Sequence, residues 1–407
     1  DAILRTNDNV DFHVHKLVLS LASPVFESMF SLPQPSLYGT ATSGPPKRPV
    51  IPVSEDSTTI HSLLRYSYPI PDPIFPSFDL LDSALGASIK YQFTEATAII
   101  TKTLRDRVPG LGVQASIALH VFAIACRYGD ESLASHAAVS CRSTVLSQRG
   151  TGFDHSTAGL CYSSTMSDCV SAGSYLRFIQ YVESGAQTTF CTPPPKVNQT
   201  PLPTDSESST EPKKRYPFNI NGADLLLRSF DGVCLPVQRA ILLCNVDPDA
   251  DKSFAWLCRD NIISSSNDTA GDLPILTMKE DSGVLSMLVT LCYPPQPGKG
   301  LLEWSAEQLC DGVALCAIKA ARKYGFNSVV QAYLSRIRYL IPQDPLRAYF
   351  ISCALGWKDE VKNAAIRLAY RATPNKYLPI LESLPAKDYY ALLRFHWACQ
   401  DTIRTHL

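Results

Sequence analysis

The chain opens on two apolar runs of different period. Ile3 and Leu4 precede a polar turn, Thr6-Asn7-Asp8-Asn9, after which Val10, Phe12 and Val14 alternate with Asp11 and His13. That period of two is a half-buried strand returning in a hairpin. At His15 the period changes. Val18, Leu19, Ala22, Val25, Phe26, Met29 and Phe30 recur every three or four residues, which predicts helix. Ser23-Pro24 divides this run into two helices, with Ser23 as N-cap and Pro24 at the first helical position. Ser31 to Lys47, rich in Pro, Gly, Ser and Thr, reads as a surface loop leading to a strand over Pro49–Val53. Glu55-Asp56-Ser57 then starts a helix carrying Ile60, Leu63 and Leu64 and ending near Tyr68-Pro69. After a Pro-rich loop, Pro69 to Pro76, helical patterns cover Leu80–Tyr91, Glu95–Arg107, Ala115–Tyr128 (ended by Gly129), Glu131–Val145 and Ala172–Val182. Arg149 to Asp168 has little pattern and is expected to be irregular.

The pattern occurs twice. Asp1-Ala2-Ile3-Leu4-Arg5 aligns with Asp224-Leu225-Leu226-Leu227-Arg228 at an offset of 223, and Phe12, Lys16 and Leu19 then meet Leu235, Arg239 and Leu242. Glu55-Asp56-Ser57 meets Glu280-Asp281-Ser282, and Tyr68-Pro69 meets Tyr293-Pro294, at 225. Lys90-Tyr91-x-Phe93 meets Lys323-Tyr324-x-Phe326 at 233, Cys126-x-x-Gly129 meets Cys353-x-x-Gly356 at 227, and Ala172-x-x-Tyr175 meets Ala386-x-x-Tyr389 at 214. Order is kept and the drift is that of loop insertions and deletions. The reading is two copies of one α+β unit, 1–186 and 216–407, each a small mixed sheet flanked by helices with a helical extension behind it. Between them 187–215 holds Pro193-Pro194-Pro195 and TDSESSTEPKKR without apolar periodicity, and reads as a flexible linker. In the second copy Gln238-Arg239 stands for His15-Lys16. Asn245-Val246-Asp247-Pro248, followed by Phe254 and Trp256, stands for the Ser-Pro-x-Phe step.

Composition narrows the setting more than the chemistry. A chain of 407 residues with 45% apolar and 18% charged residues suits two to three globular domains. A net charge of -1 gives no global field toward nucleic acid or an anionic membrane. No signal-peptide pattern and no apolar run of eighteen is seen. The 13 cysteines are odd in number, scattered and without a CxxC pair, so they are expected as small apolar core residues of a reduced, intracellular protein, cytoplasmic or nuclear.

Candidate chemistry is sparse. His13 and His15 share a strand face if the strand runs that far, but no Cys or acidic cluster joins them to make a metal site of three or four ligands. Cys310 and Cys316 are six apart, off a shared helix face, and read as core packing. Gly110-x-Gly112-x-x-Ala115 is half a dinucleotide fingerprint with no strand or acidic residue framing it, and Gly298-Lys299-Gly300 lacks the rest of a phosphate loop. Asn198 and Asn267 head glycosylation sequons that matter only in a secreted chain, and Lys213-Lys214-Arg215 reads as a solvated linker end. Ser206, Ser208 and Ser209 sit among acids, where phosphate would add charge to the linker. The expectation is therefore no catalytic residue, no cofactor and no metal.

The opening stretch resembles a BTB/POZ domain, and in particular the fungal BTB-domain proteins. The residues that carry the resemblance are Asp1, the FHVHK run from Phe12 to Lys16, Val18-Leu19, Ser23-Pro24-Val25-Phe26 and Met29-Phe30. The resemblance implies a non-catalytic protein–protein interaction scaffold that homodimerises, hetero-associates, or serves as substrate adaptor of a cullin-type ubiquitin ligase. It places the dimer seam on the first strand and first helix, here Ile3, Leu4, His15, Leu17, Val18 and Leu21. The apolar-x-Glu feature that helps some members bind a cullin is not found between Ser31 and Pro49. A repeat of one self-associating unit also allows an intramolecular pseudo-dimer. The resemblance thus allows a homodimer, an intramolecular pseudo-dimer or a cullin adaptor.

Overall fold

The computed structural model describes residues 1–32, 48–108, 115–148, 161–192, 222–246, 254–260, 273–294, 304–371 and 375–406. Most of the Ser31–Lys47 loop lies outside them. So do the glycines at 110, 112, 298 and 300, both sequons, the acid-flanked serines, Lys213–Arg215 and Asp247-Pro248. The chain forms two compact units, Asp1–Val170 with Arg177–Pro193, and Ser171–Leu176 with Pro194–Leu407. The architecture is α+β: each unit holds a small mixed sheet and many helices.

In the first unit β1 (Ala2–Arg5) and β2 (Asp11–Val14) are antiparallel, with Leu4 opposite Phe12. The turn between them places Asn9 at φ 62, a left-handed position that Asn tolerates. The Val10 N–H closes the turn onto Thr6 Oγ1 at 3.1 Å. β3 (Val50–Pro52) runs parallel to β1 on its other side, giving the order β2-β1-β3. Alternation along β1 buries Ala2 and Leu4.

The predicted helix break is found as drawn. α1 (Lys16–Ala22) stops at Ser23, whose Oγ accepts from the Phe26 N–H at 3.2 Å and so caps α2 (Pro24–Ser31) with Pro24 at its start. The same hydroxyl donates to the Tyr91 carbonyl at 2.5 Å, which ties the corner to the core. α3 (Ser57–Arg65) is capped by Asp56 and ends earlier than its apolar pattern suggests, because Tyr66 and Tyr68 turn back onto the Leu63 and Leu64 carbonyls. α4 (Phe78–Lys90) and α5 (Thr94–Asp106) close the core around Phe26, whose ring lies 5.1 Å from Tyr91 and 6.1 Å from Phe93. α6 (Ala115–Tyr128) and α7 (Glu131–Gln148) form a hairpin behind it. α8 (Met166–Cys169) is a single helical turn inside the stretch expected to be irregular, and α9 (Ala172–Ser184) follows.

The second unit repeats the plan. β4 (Leu225–Arg228) pairs antiparallel with β5 (Cys234–Val237) and parallel with β6 (Ile275–Thr277), in the order β5-β4-β6. α10 (Arg239–Leu243), α11 (Phe254–Asp260) and α12 (Ser282–Cys292) come next. They are followed by α13 (Ala306–Leu309), α14 (Gly312–Lys323), α15 (Asn327–Leu340), α16 (Pro345–Leu355) and α17 (Lys358–Ala369). A 3-10 turn (Pro379–Ser383) and α18 (Ala386–His406) end the chain.

Side-chain bonds recur at the spacings of the sequence repeat. Asp1 Oδ1 accepts the Lys16 N–H at 2.7 Å, and Asp224 Oδ1 accepts the Arg239 N–H at 2.6 Å. Asp8 takes the N–H and hydroxyl of Ser57, as Asp231 takes those of Ser282. Tyr68 OH accepts from the His15 N–H at 2.9 Å, and Tyr293 OH from the Gln238 N–H at 2.8 Å. Glu55 holds Lys90 and Tyr91, and Glu280 holds Lys323 and Tyr324. The change of His15-Lys16 into Gln238-Arg239 costs nothing here, because the backbone N–H makes each bond. The place of Phe26 against Phe93 is taken by Phe254, 5.3 Å from Phe326.

Candidate interaction surface

α1 is a short helix fastened at both ends. The His15 N–H is held by Tyr68 OH, the Lys16 N–H by Asp1, and the Ser23 N–H by the Leu19 carbonyl at 2.9 Å. Leu19 points into the core, fully buried. The 3.6-residue period then turns Leu17 and Leu21, one turn apart, outward together. They are 71% and 81% exposed, far above the other leucines of this region that serve the core. Lys16 leans over the Phe30 ring at 5.7 Å.

The six residues expected at the seam are not equivalent. Leu17 and Leu21 share one open face, His15 is exposed at the helix start, and Ile3 and Val18 are half-buried. Leu4 is only 1% exposed and packs in the core with Leu19 and Phe26, so its side chain offers no surface to a partner. Period two along β1 decides this: Leu4 faces the helices and Ile3 the other side. At the corresponding positions of the second unit, offset 223, stand Ala240 and Cys244. Both are exposed, while Leu242 is buried as Leu19 is. The second unit therefore presents Ala and Cys where the first presents two open leucines.

The remaining candidates resolve differently. β2 ends at Val14, so His13 and His15 do not share a strand; His13 Nδ1 lies 3.2 Å from Arg48, and His15 Nδ1 lies 3.3 Å from Tyr68 OH. Cys310 ends α13 and Cys316 sits exposed on α14, so Cys316 is not the core-packing residue expected. Cys141, Cys161, Cys258 and Cys292 are buried. Among the described residues no three of His, Cys, Asp or Glu are grouped as a metal site requires. A cavity of about 100 Å³ between α4, α6 and α8 is lined by Phe78, Asp82, His120, Arg127 and Cys169. Arg127 there is already bonded to both Asp82 and Cys169.

Each unit holds one Glu–Lys–Tyr cluster whose bonds shift its carboxyl. Burial by itself raises the Glu55 carboxyl, but bonds from Lys90, Tyr91 and Ser54 outweigh it and hold the group below the usual carboxylate range. Glu280 is lowered in the same way, burial again opposing the bonds from Lys323 and Tyr324.

The family model of the BTB/POZ domain matches residues 1–107, which run from β1 past the end of α5. The first unit therefore contains a BTB/POZ domain, a protein–protein interaction module of generally non-enzymatic families. No curated protein matches the chain. No helix among the described residues is long and apolar enough to cross a membrane.

Proposed function

We propose that this protein is a scaffold that binds a second copy of itself through the α1 face of its first unit, and that its second unit is a diverged copy of the BTB/POZ domain. On this reading the domains run 1–186 and 216–407, joined by 187–215, though the start of that stretch is not the free tether the sequence suggests, since Phe190 is buried on the first unit. The observation that carries the assembly is the open pair Leu17 and Leu21 on a helix already pinned at both ends. Covering two such leucines contributes roughly 3–6 kcal/mol, and little order has to be imposed to do it. Support for a second copy comes from the shared sheet order and from side-chain bonds recurring at the repeat spacings. Ala240 and Cys244 give the second unit too little apolar area for the same contact.

Light scattering over a range of concentration tests the assembly. The expected mass is twice 44.7 kDa, falling on dilution. The double variant L17D/L21D is expected to stay at 44.7 kDa throughout, because two carboxylates cannot be buried against each other cheaply. A wild-type mass fixed at 44.7 kDa at every concentration sinks the reading and leaves the intramolecular pair.

A further inference from the structure

The segment after α9 returns to the α6–α7 hairpin and brings two cysteines together. Phe190, 2% exposed, sets its ring edge-on to Phe122 and to Tyr181, each at 5.5 Å. Its carbonyl accepts from Arg177 Nη2 at 2.8 Å. The N–H groups of Phe190 and Cys191 donate to the two oxygens of Glu131 at 2.6 and 2.8 Å. The backbone at Cys191 is thus held from both sides. Its Sγ donates to the Ala125 carbonyl at 3.7 Å, one residue before Cys126 on the last turns of α6.

We propose that Cys126 and Cys191 are a redox pair, closing to a disulfide when the protein meets a peroxide and fastening the end of the first unit to α6. The placement of Cys191 by Phe190 and Glu131 carries the inference, since a disulfide needs its two sulfurs in near contact. The Cys191 thiol beside it, with burial, pushes the Cys126 thiol up. Both residues are half-buried; the peroxide meets Cys191 and Cys126 resolves it. In the first step the Cys191 sulfur takes one peroxide oxygen, becomes a sulfenic acid, and releases water. In the second the Cys126 sulfur attacks that of Cys191, the S–O bond breaks, and the departing hydroxide leaves as water with the Cys126 proton. Two electrons pass to the peroxide; a thiol reductant reverses the change.

Tryptic mapping without reductant reads the bond directly, because each cysteine is alone in its peptide: Val108–Arg127 and Phe178–Lys196. The full chain is treated with hydrogen peroxide, alkylated and digested. The expected product is these two peptides linked, lighter than their sum by two hydrogens, separated by dithiothreitol and missing from Cys191→Ser treated alike. Recovery of both peptides unlinked, alkylated or singly oxidised, at peroxide levels that oxidise the exposed Cys244 and Cys316, overturns the proposal.

Discussion

Glu55 and Glu280 each accept from one lysine and one tyrosine, and the two partners are not worth the same. Lys90 and Lys323 are about half exposed (49% and 47%), so water and salt screen them and each ion pair contributes at most ~1 kcal/mol. Tyr91 and Tyr324 are buried at 5% and 6%, and removing either hydroxyl leaves a largely buried carboxylate oxygen without its partner. That costs roughly 1–3 kcal/mol. Tyr91→Phe is therefore expected to destabilise the first unit more than Lys90→Met does, and Tyr324→Phe the second more than Lys323→Met; urea melts of the four variants measure the order. His396 on α18 makes a different case. It is 3% exposed, Nδ1 has no hydrogen-bond partner among the described residues, and burial lowers its pKa from the usual 6.5, only partly offset by the Leu368 backbone. The unfolded chain then binds a proton that the folded chain refuses. Stability is expected to be unaffected by this group above pH 6.5 and to fall as pH drops below it. His396→Leu should flatten the urea midpoint between neutral pH and pH 5.5, and an unchanged slope would show that other groups set it.

The elements are held by devices that the chain uses twice. α6 and α16 both end on a left-handed glycine, Gly129 at φ 72 and Gly356 at φ 71. The following N–H reaches back over it, Asp130 to the Ala125 carbonyl and Trp357 to the Ser352 carbonyl, both at 2.9 Å, which satisfies carbonyls that a helix end leaves open. Among the described residues nothing lies within 4 Å of a methyl built at either glycine, so the backbone angle is what opposes a side chain there. Gly129→Ala and Gly356→Ala should each cost about 1–2 kcal/mol and by similar amounts, checked by chemical denaturation. These devices explain which parts of the fold could be read from the chain. The triplet Glu-Asp-Ser repeats because every member has a fixed bond: to Lys and Tyr, to the helix it caps, and to Asp8 or Asp231. What period alone could not decide was burial within a pattern. Leu4 and Leu17 are both leucines of the expected seam, yet one closes the core and the other is open. Cys316 follows three apolar residues and still faces out, because α14 turns Ala314, Leu315 and Ala317 inward around it. α8 leaves no pattern in the sequence, because four residues are too few to show a period.

A chain with two copies of a self-associating unit faces a problem that a single copy does not. If both α1-type faces were self-complementary, each chain would bind one neighbour through its first unit and another through its second. Two bonding faces per subunit give open arrays instead of a closed pair. On the proposed scheme the exchange of Leu17 and Leu21 for Ala240 and Cys244 stops this, since the second face keeps its buried Leu242 but not the two exposed leucines. Restoring the leucines tests it. In A240L/C244L both positions are exposed, so the side chains enter solvent and not a packed core, and the unit's own stability should change by less than ~0.5 kcal/mol. On the proposed scheme the variant should grow past twice 44.7 kDa as concentration rises, with masses that do not level off. Adding L17D/L21D to it should remove one of the two faces and bring growth back to pairs. If A240L/C244L instead stops at the wild-type mass, the asymmetry of the two faces is not what limits assembly, and the second unit is closed to partners by something other than its missing leucines.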